Sequence, residues 1–286
     1  MSVVGRFAPS PTGPLHLGSL RTALVAWLFT RAAGGRFLLR IEDLDLQRSR
    51  PEFEPEQLRQ LEQLGIDWDG EVVRQSARGA LYEQAIARLA DQLYPCFCTR
   101  AEIREAAAAP HGELSEGAYA GTCRALSAAE RARRIDAGER CALRFDAGGE
   151  VVTFVDELAG PQSFAVDDFV VRRADGVVGY QLAVVVDDAE QGVNQVVRGA
   201  DLLDSSARQI LLQRALGLPT PAYAHVPLVL GPDGDRLAKR YGTAPTEDPL
   251  RWLASSLGIE AGSPARAVDL LGDFDPASIP KTSVSV

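Results

Sequence analysis

Residues 3–41 read VVGRFAPSPTGPLHLGSLRTALVAWLFTRAAGGRFLLRI. A short apolar start runs into Arg6-Phe7-Ala8-Pro9, the end of a strand, and Pro9, Pro11, Gly13 and Pro14 then make a loop. From Gly18 to about Ala33, the residues Leu20, Leu24, Trp27 and Leu28 recur at helical spacing, and Gly34-Gly35 supplies the stop. Phe37 to Ile41 is a compact apolar strand closed by Glu42-Asp43. Strand, loop, helix, strand is a βαβ unit, which belongs to a parallel sheet whose ligands lie beyond the strands' carboxyl ends.

Downstream, Pro55 to Leu64 predicts a helix ending at Gly65, and Leu81 to Leu93 predicts a second. Residues 94–124 change texture, with cysteines, an Ala-rich stretch, Pro110 and glycines, and read as a loop-rich insertion. Strand-like segments follow at 141–145, 151–155, 168–173 and 195–198. Tyr180 to Asp188, YQLAVVVDD, reads as another buried strand because its β-branched run shows no helical period. Asp204 to Leu216 is helical with Gly217 just past its end, and a short helix is expected around Leu250 to Leu257.

The composition narrows the class. In 286 residues, 46% are hydrophobic and 24% charged, which excludes a disordered or fibrous chain. No apolar run approaches the roughly 20 residues of a membrane span, and the N-terminus lacks a secretory pattern, so a cytoplasmic protein is expected. The net charge of −9 argues against blanket attachment to nucleic acid, though not against a local basic groove. Of 30 basic residues, 28 are arginine; Lys239 and Lys281 are the two lysines. A chain that writes nearly every cation as arginine keeps one internal lysine, a compact ammonium on a flexible stem.

Two separated segments carry chemistry. His16-Leu17-Gly18-Ser19 lies at the loop-to-helix junction, where free N–H groups and the positive helix end suit phosphate. An isolated histidine there is more often a surface residue. Arg236-Leu237-Ala238-Lys239-Arg240, more than 200 residues later, holds the internal lysine, and alone it is a basic loop. Together the two resemble the paired HIGH and KMSKS signatures of class I aminoacyl-tRNA synthetases. RFAPSPTGPLHLGSLRTAL resembles the glutamate and glutamine branch closely, and RIEDLD, YQLAVVVDD, VVRGADLLDSSARQ and HVPLVL match further blocks in order. The resemblance covers about residues 5–245.

It implies an α/β, Rossmann-like class I synthetase catalytic domain, at 1–75 and 176–245. An inserted acceptor-type subdomain carrying a zinc site would occupy 76–175, and 246–286 would form a short C-terminal helical tail. It also implies activation of L-glutamate by ATP with Mg²⁺ to glutamyl-adenylate and pyrophosphate, then transfer to an RNA hydroxyl. His16, Gly18, Ser19 and Lys239 would bind ATP, with His16 and Lys239 catalytic. Arg6, Ser10, Glu42, Tyr180 and Arg198 would line the glutamate pocket, the arginines facing carboxylates and Ser10 with Glu42 the ammonium. Arg240 replaces the second serine of KMSKS, so no hydroxyl role is carried over.

The chain stops 46 residues after Arg240, too few for an anticodon-reading domain. It therefore resembles the truncated branch that attaches glutamate to queuosine in the anticodon of tRNA(Asp), and a monomer is expected. Cys96, Cys98 and Cys123 offer three thiolates where structural Zn²⁺ takes four ligands. In the family the fourth is a tyrosine four residues before the last cysteine, which is Tyr119 here, with His111 the rival. Cys141 reads as an ordinary small buried residue. Three alternatives stand at this point: a minimal enzyme charging a tRNA 3′ end, a small-molecule adenylyltransferase, and a non-catalytic scaffold.

Overall fold

The computed structural model describes residues 2–107, 119–235, 237, 248–260, 262 and 264–285, and in 104–107 the backbone only. In chain order the elements are β1 (Val4–Phe7), α1 (Leu17–Ala32), β2 (Arg36–Ile41), α2 (Phe53–Gln63), β3 (Val73–Arg74), α3 (Gly79–Arg88), β4 (Leu93–Cys96) and α4 (Arg100–Ala107). Then come α5 (Ala128–Asp136), β5 (Ala142–Phe145), β6 (Val151–Asp156), β7 (Gly160–Ala165), β8 (Phe169–Arg172) and α6 (Tyr180–Glu190). The last are β9 (Gln195–Gly199), α7 (Ser205–Leu216), β10 (Ala222–Val226), β11 (Val229–Leu230), α8 (Pro249–Ser256) and β12 (Val284–Ser285).

The opening βαβ unit forms as expected: β1 pairs parallel with β2, Val4 opposite Arg36 through Phe7 opposite Leu39. β2 pairs parallel with β3, and β9 with β10. β9 runs beside β1, where the Asn194 N–H donates to the Val4 carbonyl at 3.1 Å. The parallel order is thus β3-β2-β1-β9-β10, a Rossmann-like layer. Successive side chains of a strand point to opposite faces. Phe37 and Leu39 accordingly enter one core with α1 and α8, while Leu38 enters the other with Ile86 of α3, Leu182 of α6 and Ile210 of α7. A sheet buried on both faces reads as continuous apolar runs, which is why these strands show no alternation in the sequence.

Three expectations need correction. YQLAVVVDD is the helix α6, not a strand. The helix expected over 81–93 ends at Arg88, and Leu93 already starts β4. Within 94–124 the loop-rich reading omits regular structure: β4 joins β5 and β8 in an antiparallel three-stranded sheet, and α4 follows it. β6 and β7, inside the stretch expected as an insertion, extend the sheet of β9 and β10 through β6 against β10. Gly217 caps α7 with φ +63°, the left-handed conformation that glycine adopts without strain. Among the described residues, no helix is long and apolar enough to cross a membrane.

Candidate active site

The crossovers leaving β1 and β9 go to opposite faces of the sheet, through α1 and α7 respectively. Such a switch point opens a crevice at the strands' carboxyl ends. Here the crevice is a cleft of about 570 Å³ that runs from Arg6 and Phe7 on one strand to Arg198 and Gly199 on the other. The proline-rich loop forms one wall, clamped from α2. Gln57 Nε2 donates to the carbonyls of Ser10 at 3.1 Å and Gly13 at 2.7 Å, while Gln60 exchanges two hydrogen bonds with the Leu15 backbone.

Each described residue expected to bind ATP or glutamate borders this one cleft. His16, Gly18 and Ser19 lie at the start of α1. His16 is not a surface histidine: it is 8% exposed and caps the helix, its Nδ1 accepting the Ser19 N–H at 3.2 Å. A Cβ on Gly18 would come 3.1 Å from the imidazole, so glycine lets the ring lie over the helix start. The first turn carries no acidic residue, so the 16-residue helix itself places no counter-charge at its positive end. Lys239 and Arg240, like His111, lie outside the described residues; Leu237 is buried, its N–H bonded to the Val229 carbonyl at 2.8 Å.

Arg6, Ser10, Glu42, Tyr180 and Arg198 border the same cleft, although they come from four separated segments. Arg6 commits Nε to Asp188 at 3.3 Å and Nη1 to the Val197 carbonyl at 3.2 Å. Arg198 commits Nε to the His225 ring at 3.0 Å and Nη2 to Ser206 Oγ at 2.8 Å, and its buried Nη1 has no partner among the described residues. Tyr180, the first residue of α6, is 38% exposed. Burial pushes the Glu42 carboxyl above its ordinary value, against the pull of Arg40 and Arg6.

Beneath the cleft lies a layer of buried charge that the sequence reading missed. Arg40, fully buried, meets Asp188 at 2.8 Å, Glu42 at 3.5 Å and Asp187 at 3.7 Å. Asp187 also accepts from Gln75 Nε2 at 2.8 Å, Arg78 Nε at 2.6 Å and the Tyr82 hydroxyl at 2.9 Å. Burial alone would raise the Asp188 carboxyl, but Arg6 and Arg40 hold it below the usual carboxylate range. Charges removed from water persist only when paired this closely. The available signal was the acidic pair ending YQLAVVVDD, which in a strand would face opposite sides and in a helix lies about 100° apart, here close enough for both carboxylates to meet Arg40.

Away from the cleft, the sulfurs of Cys96, Cys98 and Cys123 all lie within 4.8 Å of one another. Cys98 and Cys123 are 3.5 Å apart, and the Tyr119 hydroxyl is 3.4 Å from Cys96 Sγ and 4.0 Å from Cys98 Sγ. Tetrahedral zinc with sulfur bonds of about 2.3 Å needs sulfur–sulfur edges of about 3.8 Å, so the spacing fits that ion. Burial and the neighbouring sulfurs push the Cys98 thiol up to about 12, whereas Cys123, despite its burial, is held below its ordinary value by the Phe97 N–H. Ionising all three thiols would need a cation among them. Cys141 is half-buried and outside the cluster.

The sequence profile of the tRNA synthetases class I (E and Q) catalytic domain matches residues 2–249. A "Glutamyl-Q tRNA(Asp) synthetase" of Nocardia farcinica is 55% identical over 97% of this chain and 91% of its own length. A protein of the same description from Symbiobacterium thermophilum is 52% identical over 99% of this chain and 95% of its own. The chain belongs to the glutamyl-Q tRNA(Asp) synthetase family of class I tRNA synthetases. Members of that family are ligases, and so is this one. Among solved structures, a glutamate tRNA ligase from Elizabethkingia meningosepticum in complex with its amino acid superposes with a TM-score of 0.84 at 29% identity. That alignment covers all of this chain and 67% of the ligase.

Proposed function

We propose that this chain activates L-glutamate with ATP and transfers the glutamyl group to queuosine in the anticodon of tRNA(Asp). The observation that carries the reading is the convergence of Arg6, Ser10, Glu42, Tyr180 and Arg198 with the His16 helix start on one cleft. One glutamate carboxylate oxygen bonds to the α-phosphorus as pyrophosphate leaves. A hydroxyl of the queuosine cyclopentene diol then attacks the carbonyl carbon, AMP leaves with the bonding pair, and the hydroxyl proton is released. Little covalent chemistry falls to the protein, whose work is positioning and charge stabilisation.

Arg6 and Arg198 pair with substrate carboxylates, and Glu42 with Ser10 holds the ammonium. His16 and the N–H groups at Gly18 and Ser19 meet the triphosphate as charge develops, with Lys239 as the second cation and Mg²⁺ arriving with ATP. The catalytic domain comprises 1–75 and 176–245, with 76–175 inserted and 246–286 as a tail. In the insertion, Cys96, Cys98, Tyr119 and Cys123 hold a structural Zn²⁺; the spacing of their donor atoms supports this.

The decisive test is transfer of labelled glutamate, with ATP, to tRNA(Asp) with and without queuosine, beside tRNA(Glu). Product on queuosine-bearing tRNA(Asp) alone is expected. Charging of tRNA(Glu) would mean a minimal protein-synthesis enzyme, and adenylate with no RNA product would mean an adenylyltransferase. Lys239→Ala should abolish glutamate-dependent pyrophosphate exchange while leaving the circular dichroism spectrum unchanged; intact exchange would remove Lys239 from the mechanism.

A further inference from the structure

Arg198 is held from behind by two buried residues: Asp156, outside the blocks quoted above, and His225, the first residue of HVPLVL. In the parallel ladder of β9 and β10, Arg198 lies opposite His225, so the two side chains emerge side by side on one face. β6 ends at Asp156, and β6 flanks β10 on its other side. The Asp156 carboxylate is 1% exposed and saturated with donors. Its Oδ1 accepts the backbone N–H groups of Leu158 at 3.0 Å, Ala159 at 2.8 Å and His225 at 3.1 Å, and its Oδ2 meets His225 Nδ1 at 2.5 Å.

The proton positions follow from the donor inventory. The Arg198 Nε–H can only donate, so the His225 Nε2 it reaches at 3.0 Å must be an acceptor. A neutral imidazole with an accepting Nε2 carries its proton on Nδ1, where the Asp156 carboxylate takes it. Ser206 Oγ closes the arrangement, accepting from Arg198 Nη2 at 2.8 Å and standing 3.3 Å from His225 Nε2. Two of the three guanidinium nitrogens are therefore fixed by protein. The third, Nη1, is buried without a partner among the described residues, in a residue that borders the cleft.

We infer that Asp156 and His225 are positioning residues for substrate recognition: Asp156 fixes the His225 tautomer, His225 locks the guanidinium of Arg198, and the lock leaves Nη1 for a substrate carboxylate. The inference rests on the glutamate-pocket reading proposed above. A carboxylate bound by an arginine held in one orientation loses less freedom on binding than one meeting a mobile side chain. Neither residue touches substrate; each acts through Arg198.

Asp156→Asn is the incisive variant. Its side-chain carbonyl still accepts the three backbone N–H groups, but its amide donates to His225 Nδ1 and drives the ring proton to Nε2. An N–H then faces the Arg198 Nε–H. In glutamate-dependent pyrophosphate exchange, run with queuosine-bearing tRNA(Asp) present, KM for glutamate should rise roughly ten- to a hundredfold, the range of a charged hydrogen bond. KM for ATP should stay unchanged. His225→Gln, whose side-chain carbonyl can replace Nε2 as acceptor, should stay within a few-fold of wild type, while His225→Phe should resemble Asp156→Asn. Nitrogen-15 chemical shifts of the imidazoles, of which the chain has three, should show the His225 proton moving from Nδ1 to Nε2 in Asp156→Asn. A moved proton with an unchanged glutamate KM, or parallel rises in both KM values, would overturn the inference. If the wild type activates a different amino acid, the glutamate reading fails, and the same variants measured on that amino acid still decide whether the pair positions Arg198.

Discussion

The guanidinium of Arg40 donates to Asp188 Oδ1 at 2.8 Å, the same oxygen that takes the Arg6 Nε–H at 3.3 Å, and Arg40 is wholly buried. One carboxylate oxygen thus holds an arginine on the floor of the cleft and is itself held by a second arginine beneath it. Removing one member of such a group strands the others in low dielectric, at a cost of about 3–5 kcal/mol. Asp188→Asn should therefore lower unfolding stability by an amount in that range, read from urea melts. It should also raise KM for glutamate, because Arg6 loses the charge of its carboxylate partner. A stable variant with unchanged KM would mean that Asp188 serves neither end.

Gly179 precedes α6, and a Cβ there would stand 2.4 Å from the Val170 carbonyl oxygen on β8. Its φ of −73° is open to any residue, so the constraint is space and not backbone conformation. Gly179→Ala must push the start of α6 off β8, and Tyr180 is the next residue. Overpacking of this kind costs about 1–3 kcal/mol. The expected result is a folded, less stable protein with a raised glutamate KM, whereas Gly192→Ala at the other end of α6 meets open space and strains only the backbone.

The same helix shows where the sequence was hard to read. In α6 the residues Leu182, Ala183, Val184, Val185, Asp187 and Asp188 are all buried, so no polar stripe marks a helical period. Valines favour strands, and two aspartates at a helix C-terminus oppose its dipole. Arg40, Arg78 and Arg6, distant in sequence, neutralise them in the fold. By contrast β1, α1 and β2 were legible because the proline loop and Gly34-Gly35 punctuate a local unit. The pocket residues could be listed from motifs, but the Asp156–His225 support depends on strand neighbours that only the sheet order reveals.

Tyr119 and the three cysteines make a prediction about metal. Metal analysis of the native protein should find about one zinc per chain, lost in Cys98→Ser. The Tyr119 hydroxyl also accepts the Cys123 N–H at 2.8 Å, and the Arg144 guanidinium stacks 3.8 Å over its ring. Tyr119→Phe keeps the ring and its stacking, so a weakened zinc affinity in that variant would isolate the oxygen as a ligand. Unaltered affinity there, with loss in His111→Ala, would assign the fourth position to His111. A metal-free native protein would refute the site.

His225 gives the stability a direction with pH. Burial lowers its pKa below the ordinary 6.5, the Arg198 and Arg6 charges lower it further, and Asp156 only partly offsets them. Between about 6.5 and that lowered value the unfolded chain binds a proton that the native one does not, so stability falls as pH falls through this window. The slope approaches about 1.4 kcal/mol per pH unit. Asp156 acts in the same sense, but only below its ordinary 3.8, because burial is outweighed by the bonds from His225 and Ala159 that hold it low. Glu42, raised above 4.5 by burial, binds its proton first in the native state and opposes the trend nearer that value. Urea melts at pH 7.5 and 5.5 should show wild type losing more stability than His225→Gln, which has no ring to protonate. Protonation also removes the acceptor at Nε2, with Asp156 on β6, Arg198 on β9, Arg6 on β1 and Tyr223 on the histidine's own strand as the surrounding charged and titratable groups. The glutamate KM of the wild type should therefore stay level across that window, climb only as pH falls through the lowered value where the folded His225 takes its proton, and stay flatter in His225→Gln. Equal stability slopes in the two proteins would show that folding does not lower the His225 pKa.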